Sequence, residues 1–180
     1  VENEPAIAAA LGRDRVITGT VTSAVGRKAA GNIVLEKLRG VGVAAGHPLS
    51  ERLVAGLSEA MLNCRLYPKA EDMKWSKMLT NLIANASSAI LDMSAAEIFS
   101  HPGLFQMEMS MLHEALAVMA AQNIKVVDLP GTPVRALAWG TRPGGSPPAR
   151  GSSPPSACRS ATTMAPPDEG GGNETPRRPR

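Results

Sequence analysis

"WSKMLTNLIANASSAI", residues 75–90, is the stretch from which the rest of the chain can be organised. Its aliphatic residues recur at helical spacing, yet Lys77, Asn81 and Asn85 stand at i, i+4 and i+8. At about 100° per residue these positions drift only about 40° per step, so one continuous helix lays them out as a single polar row. Leu79, Leu82, Ile83, Ala86 and Ile90 flank that row. Asparagine costs roughly half a kcal/mol against alanine inside a helix, and a buried lysine costs more unless it is paired. The row is therefore either a line of hydrogen bonds to neighbouring helices or a ligand-binding face. In the second case a lysine set against a carbonyl oxygen can donate a proton or stabilise a developing alkoxide, while the amides hold hydroxyl and carboxylate groups.

Helical signals dominate from Lys69 onward. One helix is expected from about Glu71 to Leu91, and Ser94-Ala95-Ala96-Glu97 has the form of a capping box opening a short helix that His101-Pro102-Gly103 stops. A long helix is expected from about Leu104 to Gln122, with Phe105, Met109, Leu112, Leu116 and Met119 on one side. Its methionines suit adaptable core packing. "KVVDLPGTPVRALAW" then reads as an extended link opening a last helix near Pro133.

Upstream the pattern is mixed. "EPAIAAALG" is a short helix with Pro5 near its first turn and Gly12 as its stop. "RVITGTVTSAV", "GNIVLEKL" and "VGVAA" have strand composition. "PLSERLVAGLSEAML" has helical spacing, and "CRLYP" is a short edge strand closed by Pro68. Gly40, Gly42 and Gly46 lie between strand and helix, but Ala45 holds the third place of a G-x-G-x-x-G fingerprint. Glycines for a hairpin and a helix entry explain the cluster at least as well.

Composition divides the chain at Thr141. From Arg142 to Arg180 there is no Val, Ile, Leu, Phe, Trp or Tyr, and nine of the 15 prolines fall there. Such a segment cannot bury enough apolar surface to offset the entropy of ordering, so residues 142–180 are expected to be a disordered tail. The tail also holds the whole charge excess, with six arginines against three acids, while residues 1–141 hold 13 basic and 13 acidic side chains. The body thus offers no general basic surface for nucleic acid or an anionic membrane. Cys64 and Cys158 are the only cysteines and the three histidines lack zinc spacing, so no metal is expected and a reducing, cytoplasmic compartment is. No apolar run reaches the length of a membrane span.

"KWSKMLTNLIANASSAI" resembles the start of the helical C-terminal domain of ketopantoate reductases, whose hallmark W-x-K-x-x-x-N-x-x-x-N is matched by Trp75, Lys77, Asn81 and Asn85. "VENEPAIAAALGRDRVITGTVTSAV" and "AAQNIKVVDLPG" resemble the same family, so the likeness covers about residues 1–141. The resemblance implies an α/β Rossmann remnant at 1–68, the C-terminal part of an NADP-binding domain. An all-α helical domain of the 6-phosphogluconate dehydrogenase C-terminal-like kind, truncated, follows at 69–141. It implies NADPH-dependent reduction of 2-dehydropantoate to pantoate, on the route to pantothenate and coenzyme A. Lys77 is then the general acid, Asn81 and Asn85 bind the substrate's polar groups, and Val25 stands where the family's backbone passes the cofactor.

The chain also departs from that pattern. It opens just past the family's Q-N-G turn, without the G-x-G-x-x-G loop, and Ala95 stands where some members place another substrate-binding asparagine. After Thr141 the family pattern is lost, as translation in a shifted frame would produce. A fragment of this kind is expected to be inactive alone. The alternative from a different class is a helical interaction module in which Asn81 and Asn85 bridge partner helices; association into a homo-oligomer is open on either view.

Overall fold

The computed structural model describes residues 3–140; the expected tail at 142–180 lies outside the described residues. The architecture is mixed α/β, with a small sheet followed by helices. Alanine-rich helix α1 (Asn3–Leu11) stops at Gly12, whose φ of 99° suits a residue without a side chain. The run expected as one strand over 15–25 is divided: β1 (Gly19–Val21) and β2 (Ala24–Ala29) belong to different sheets. The reason lies between them. The Thr22 hydroxyl sits 3.0 Å from the Gly40 carbonyl oxygen and 2.8 Å from that of Pro130, and the Ser23 hydroxyl accepts the Arg39 and Gly40 amides. These bonds turn the chain out of the first sheet.

Strand β3 (Asn32–Lys37) pairs antiparallel with β2 as a two-stranded hairpin, and β4 (Val41–Ala44) returns to the first sheet. Helix α2 (Ser50–Glu59) carries the chain across to β5 (Cys64–Tyr67), which pairs parallel to β4; β1 pairs antiparallel on its other side, giving the order β1-β4-β5. Ser50 is buried and its hydroxyl donates to the Ala44 carbonyl at 2.7 Å, fastening the start of α2 to the end of β4. β5 is at the edge of the sheet, as its closing Pro68 suggests.

The helices that follow are α3 (Ala70–Leu82), α4 (Asn85–Leu91), α5 (Ala95–Ser100), α6 (Pro102–Ala121) and α7 (Val134–Gly140). Ser94 and Glu97 form the expected capping box at α5. α6 begins two residues before the expected Leu104, because Pro102 takes a first-turn position where its missing N–H costs nothing and the His101 side chain accepts from the Leu104 amide. The largest discrepancy is at the opening stretch. The single helix expected over Glu71–Leu91 is broken at Ile83, which is extended, and Ala84, which is left-handed with φ 57°.

The main core joins sheet to helices. Ala44 and Tyr67 pack with Met73 and Leu79 of α3, Leu112 and Met119 of α6, and Leu129 and Val134. Each such fully buried large side chain contributes roughly 1.5–3 kcal/mol relative to exposure. Gly42 lets α3 lie this close: a Cβ there would stand 2.8 Å from the Met73 sulfur and 3.0 Å from the Tyr67 ring. The extended link after α6 finds its hydrogen bonds on α3, where buried Asp72 accepts the Lys125 amide at 2.8 Å and buried Ser76 accepts the Val127 amide at 2.9 Å. A second small core of Ile83, Ala84, Ala95 and Ile98 lies under the α3–α4 break.

Candidate functional site at the α3–α4 junction

Lys77 and Asn81 stand one turn apart on α3, while Asn85 is the first residue of α4. The single polar row is therefore interrupted: the break separates Asn85 from the other two. Lys77 is half-buried, whereas Asn81 and Asn85 are both exposed. Neither amide bonds a neighbouring helix among the described residues, so among these they do not form a line of interhelical hydrogen bonds.

Burial pushes the Lys77 ammonium below its ordinary proton affinity, and the positive charge of Arg39, in the link between β3 and β4, adds to the effect. Only two ion pairs form among the described residues, Lys74 with Glu4 and Arg135 with Asp128, and neither involves Lys77. A half-buried cation beside another cation and without a carboxylate partner gives up its proton more readily than a surface lysine. It is also a place where an anion gains free energy on binding.

Glu108 was not among the residues singled out above. It is only 2% exposed, on the core side of α6. One carboxyl oxygen accepts the Ala84 amide at 2.8 Å and the other accepts the Ser87 hydroxyl. The signal was present, since Glu108 lies three residues after Phe105 and four before Leu112, within the apolar side of the helix. A charged residue type at such a position requires partners.

Val25 lies on the two-stranded β2–β3 hairpin and is 52% exposed. Two of the three clustered glycines are occupied by packing. A side chain at Gly40, whose φ is 144°, would strike Pro130, and Gly42 is filled by Met73 and Tyr67. His101 caps α6, and His47 Nδ1 accepts the Leu49 amide at 3.1 Å. Among the described residues no three His, Cys, Asp or Glu side chains gather as a metal site, and no helix is long and apolar enough to cross a membrane.

Comparison with known proteins shows what the fold is similar to. A structure of a PanE/ApbA family ketopantoate reductase from Ralstonia eutropha JMP134 superposes with a TM-score of 0.65 at 19% identity, over 77% of this chain and 45% of that one. The 2-dehydropantoate 2-reductase from Geobacter metallireducens GS-15 gives 0.62 at 22% identity, over 89% and 52%. D-mandelate dehydrogenase in complex with NADH gives 0.61 at 18% identity, over 81% and 48%. The chain thus spans about half the length of the solved structures it matches. No curated relative matches it. The family model described as ketopantoate reductase PanE/ApbA C terminal matches residues 69–137, from the residue before α3 into α7 and including Lys77, Asn81 and Asn85. Residues 69–137 are thus similar to the C-terminal part of the ketopantoate reductase family.

Proposed function

We propose that this chain carries the substrate-binding and proton-donating part of an NADPH-dependent reductase of 2-oxo acids, with 2-dehydropantoate as substrate and pantoate as product. The observation that carries the proposal is Lys77: half-buried, lowered in proton affinity, next to the charge of Arg39 and without a carboxylate partner. A 2-oxo acid supplies what that setting lacks. Its carboxylate is the missing counter-charge, and its keto oxygen needs a proton as the carbon is reduced. In this proposal Lys77 gives that proton, Asn81 holds a polar group of the substrate from the same helix, and Asn85 holds another from α4.

Gly40 and Gly42 are filled by packing and leave no room there for the pyrophosphate of a dinucleotide. Val25 is the proposed point where backbone passes the nicotinamide. The domain division belongs to the same proposal: residues 1–68 as the end of a Rossmann domain, 69–141 as a helical substrate domain, and 142–180 as a tail. A cytoplasmic location follows from the proposed metabolic role.

The test is NADPH oxidation with 2-dehydropantoate by this chain, beside a version joined to a dinucleotide-binding domain and a full helical domain. Turnover in the completed protein that Lys77→Ala abolishes supports the proposal; no turnover in either sinks it. A second proposal, an association module, is favoured by the exposure of Ile90 and Met61, each 80%. Sedimentation of the chain as a concentration-independent monomer would count against it.

A further inference from the structure

The sequence from Ala70 to Leu91 contains no glycine and no proline, and Ala84 is the residue type that most favours a helix. Local preference therefore favours one unbroken helix, with Asn85 in line with Lys77 and Asn81. The chain breaks at Ala84 all the same, in a left-handed conformation that alanine disfavours. Something outside the segment must stabilise the break. In an unbroken helix the Ala84 amide would bond to the Thr80 carbonyl; here it bonds to Glu108 of α6, which also takes the Ser87 hydroxyl in the first turn of α4. Glu108, Ser87 and Ala84 are all buried, so little water competes for these bonds.

We propose that Glu108 is a positioning residue for Asn85: its carboxyl group holds α3 and α4 apart, so that Asn85 is presented from a separate helix and not from the Lys77–Asn81 row. Glu108 acts through Ala84 and Ser87 and touches no substrate. The consequence is a site whose amides come from two helix segments, with an arrangement set by a residue 24 positions away on α6. The substrate-binding part of this inference rests on the function proposed above; the backbone part does not.

The test uses the full chain labelled for NMR, as wild type and as Glu108→Ala, Glu108→Gln and Ser87→Ala. Two quantities are read: the Cα and Cβ shifts of Ile83 and Ala84, which distinguish extended and left-handed from helical backbone, and the response of the Asn81 and Asn85 side-chain amides to added 2-dehydropantoate. Wild type is expected to show non-helical shifts at both residues. Glu108→Ala should move them to helical values, remove the Asn85 response and weaken binding roughly fivefold to tenfold, as for one lost hydrogen bond. Glu108→Gln, which keeps an acceptor for the Ala84 amide, should restore most of both.

Unchanged Ala84 shifts in a folded Glu108→Ala protein overturn the proposal, as do helical shifts in wild type. If Glu108→Ala does not fold, Ser87→Ala decides: a partial move of Ala84 towards helical shifts supports the proposal, and no move refutes it. Absence of 2-dehydropantoate binding in wild type would remove the functional reading, while the Ala84 shifts would still judge Glu108.

Discussion

Replacing Ala84 by glycine gives a sharp test of the junction, because its effect depends on the backbone conformation there. A left-handed non-glycine residue costs about 1–2 kcal/mol in Cβ strain, which glycine removes. Against this stand about 0.4–1 kcal/mol from the greater freedom of glycine in the unfolded chain and about 0.8 kcal/mol for the lost methyl group, since Ala84 is 1% exposed. The terms nearly cancel, so Ala84→Gly should lie within about 0.5 kcal/mol of wild type. In an unbroken helix no strain is relieved, and the same two penalties would sum to a loss of about 1.2–1.8 kcal/mol. Ala86→Gly, two residues on and inside α4, is the control and should lose about 0.5–1 kcal/mol. Urea unfolding of the full chain followed by far-UV circular dichroism reads all three. A loss for Ala84→Gly larger than that for Ala86→Gly would refute the break and the role given to Glu108.

The lowered proton affinity of Lys77 makes stability depend on pH with a definite sign. Between its folded-state pKa and the higher unfolded value the unfolded chain binds more protons, so this group's contribution to stability rises with pH across that window; Lys77→Met should lose that rise and be the more stable protein at neutral pH, as urea midpoints from pH 7 to 10 would reveal. Burial pushes the Asp128 carboxyl up, but hydrogen bonds from the Arg135 side chain and backbone and its charge outweigh that and hold it below the ordinary carboxylate value. Its stabilising contribution is present above the unfolded value and lost as pH falls through the folded one, so acid titration of Asp128→Asn should show a weaker loss of stability than wild type at the acid end. Gly42→Ala forces a methyl group against the Met73 sulfur and the Tyr67 ring, and thermal unfolding should report a loss of about 1–3 kcal/mol.

Much of the fold was legible because it rests on local chemistry. The Ser94–Glu97 capping box, the glycine stop of α1 and the apolar side of α6 are each decided by a few neighbouring residues, and each appears where spacing puts it. The strand run at 15–25 is divided in the structure, and β-branched composition says nothing of where a ladder ends. Its division depends on Thr22 meeting Pro130, 108 residues away. In the candidate site, Lys77, Asn81 and Asn85 were found from their spacing, but the spacing assumed one helix. Glu108 was visible as an acid among apolar residues, yet its partners were not.

The sequence by itself determined that a lysine and two asparagines stand four residues apart among aliphatics, and which family that pattern resembles. Only the tertiary structure decided that Asn85 leaves the row. Ala84 turns left-handed where the buried carboxyl group of Glu108 accepts the hydrogen bond that its amide would have given within a helix, and no local preference encodes that contact.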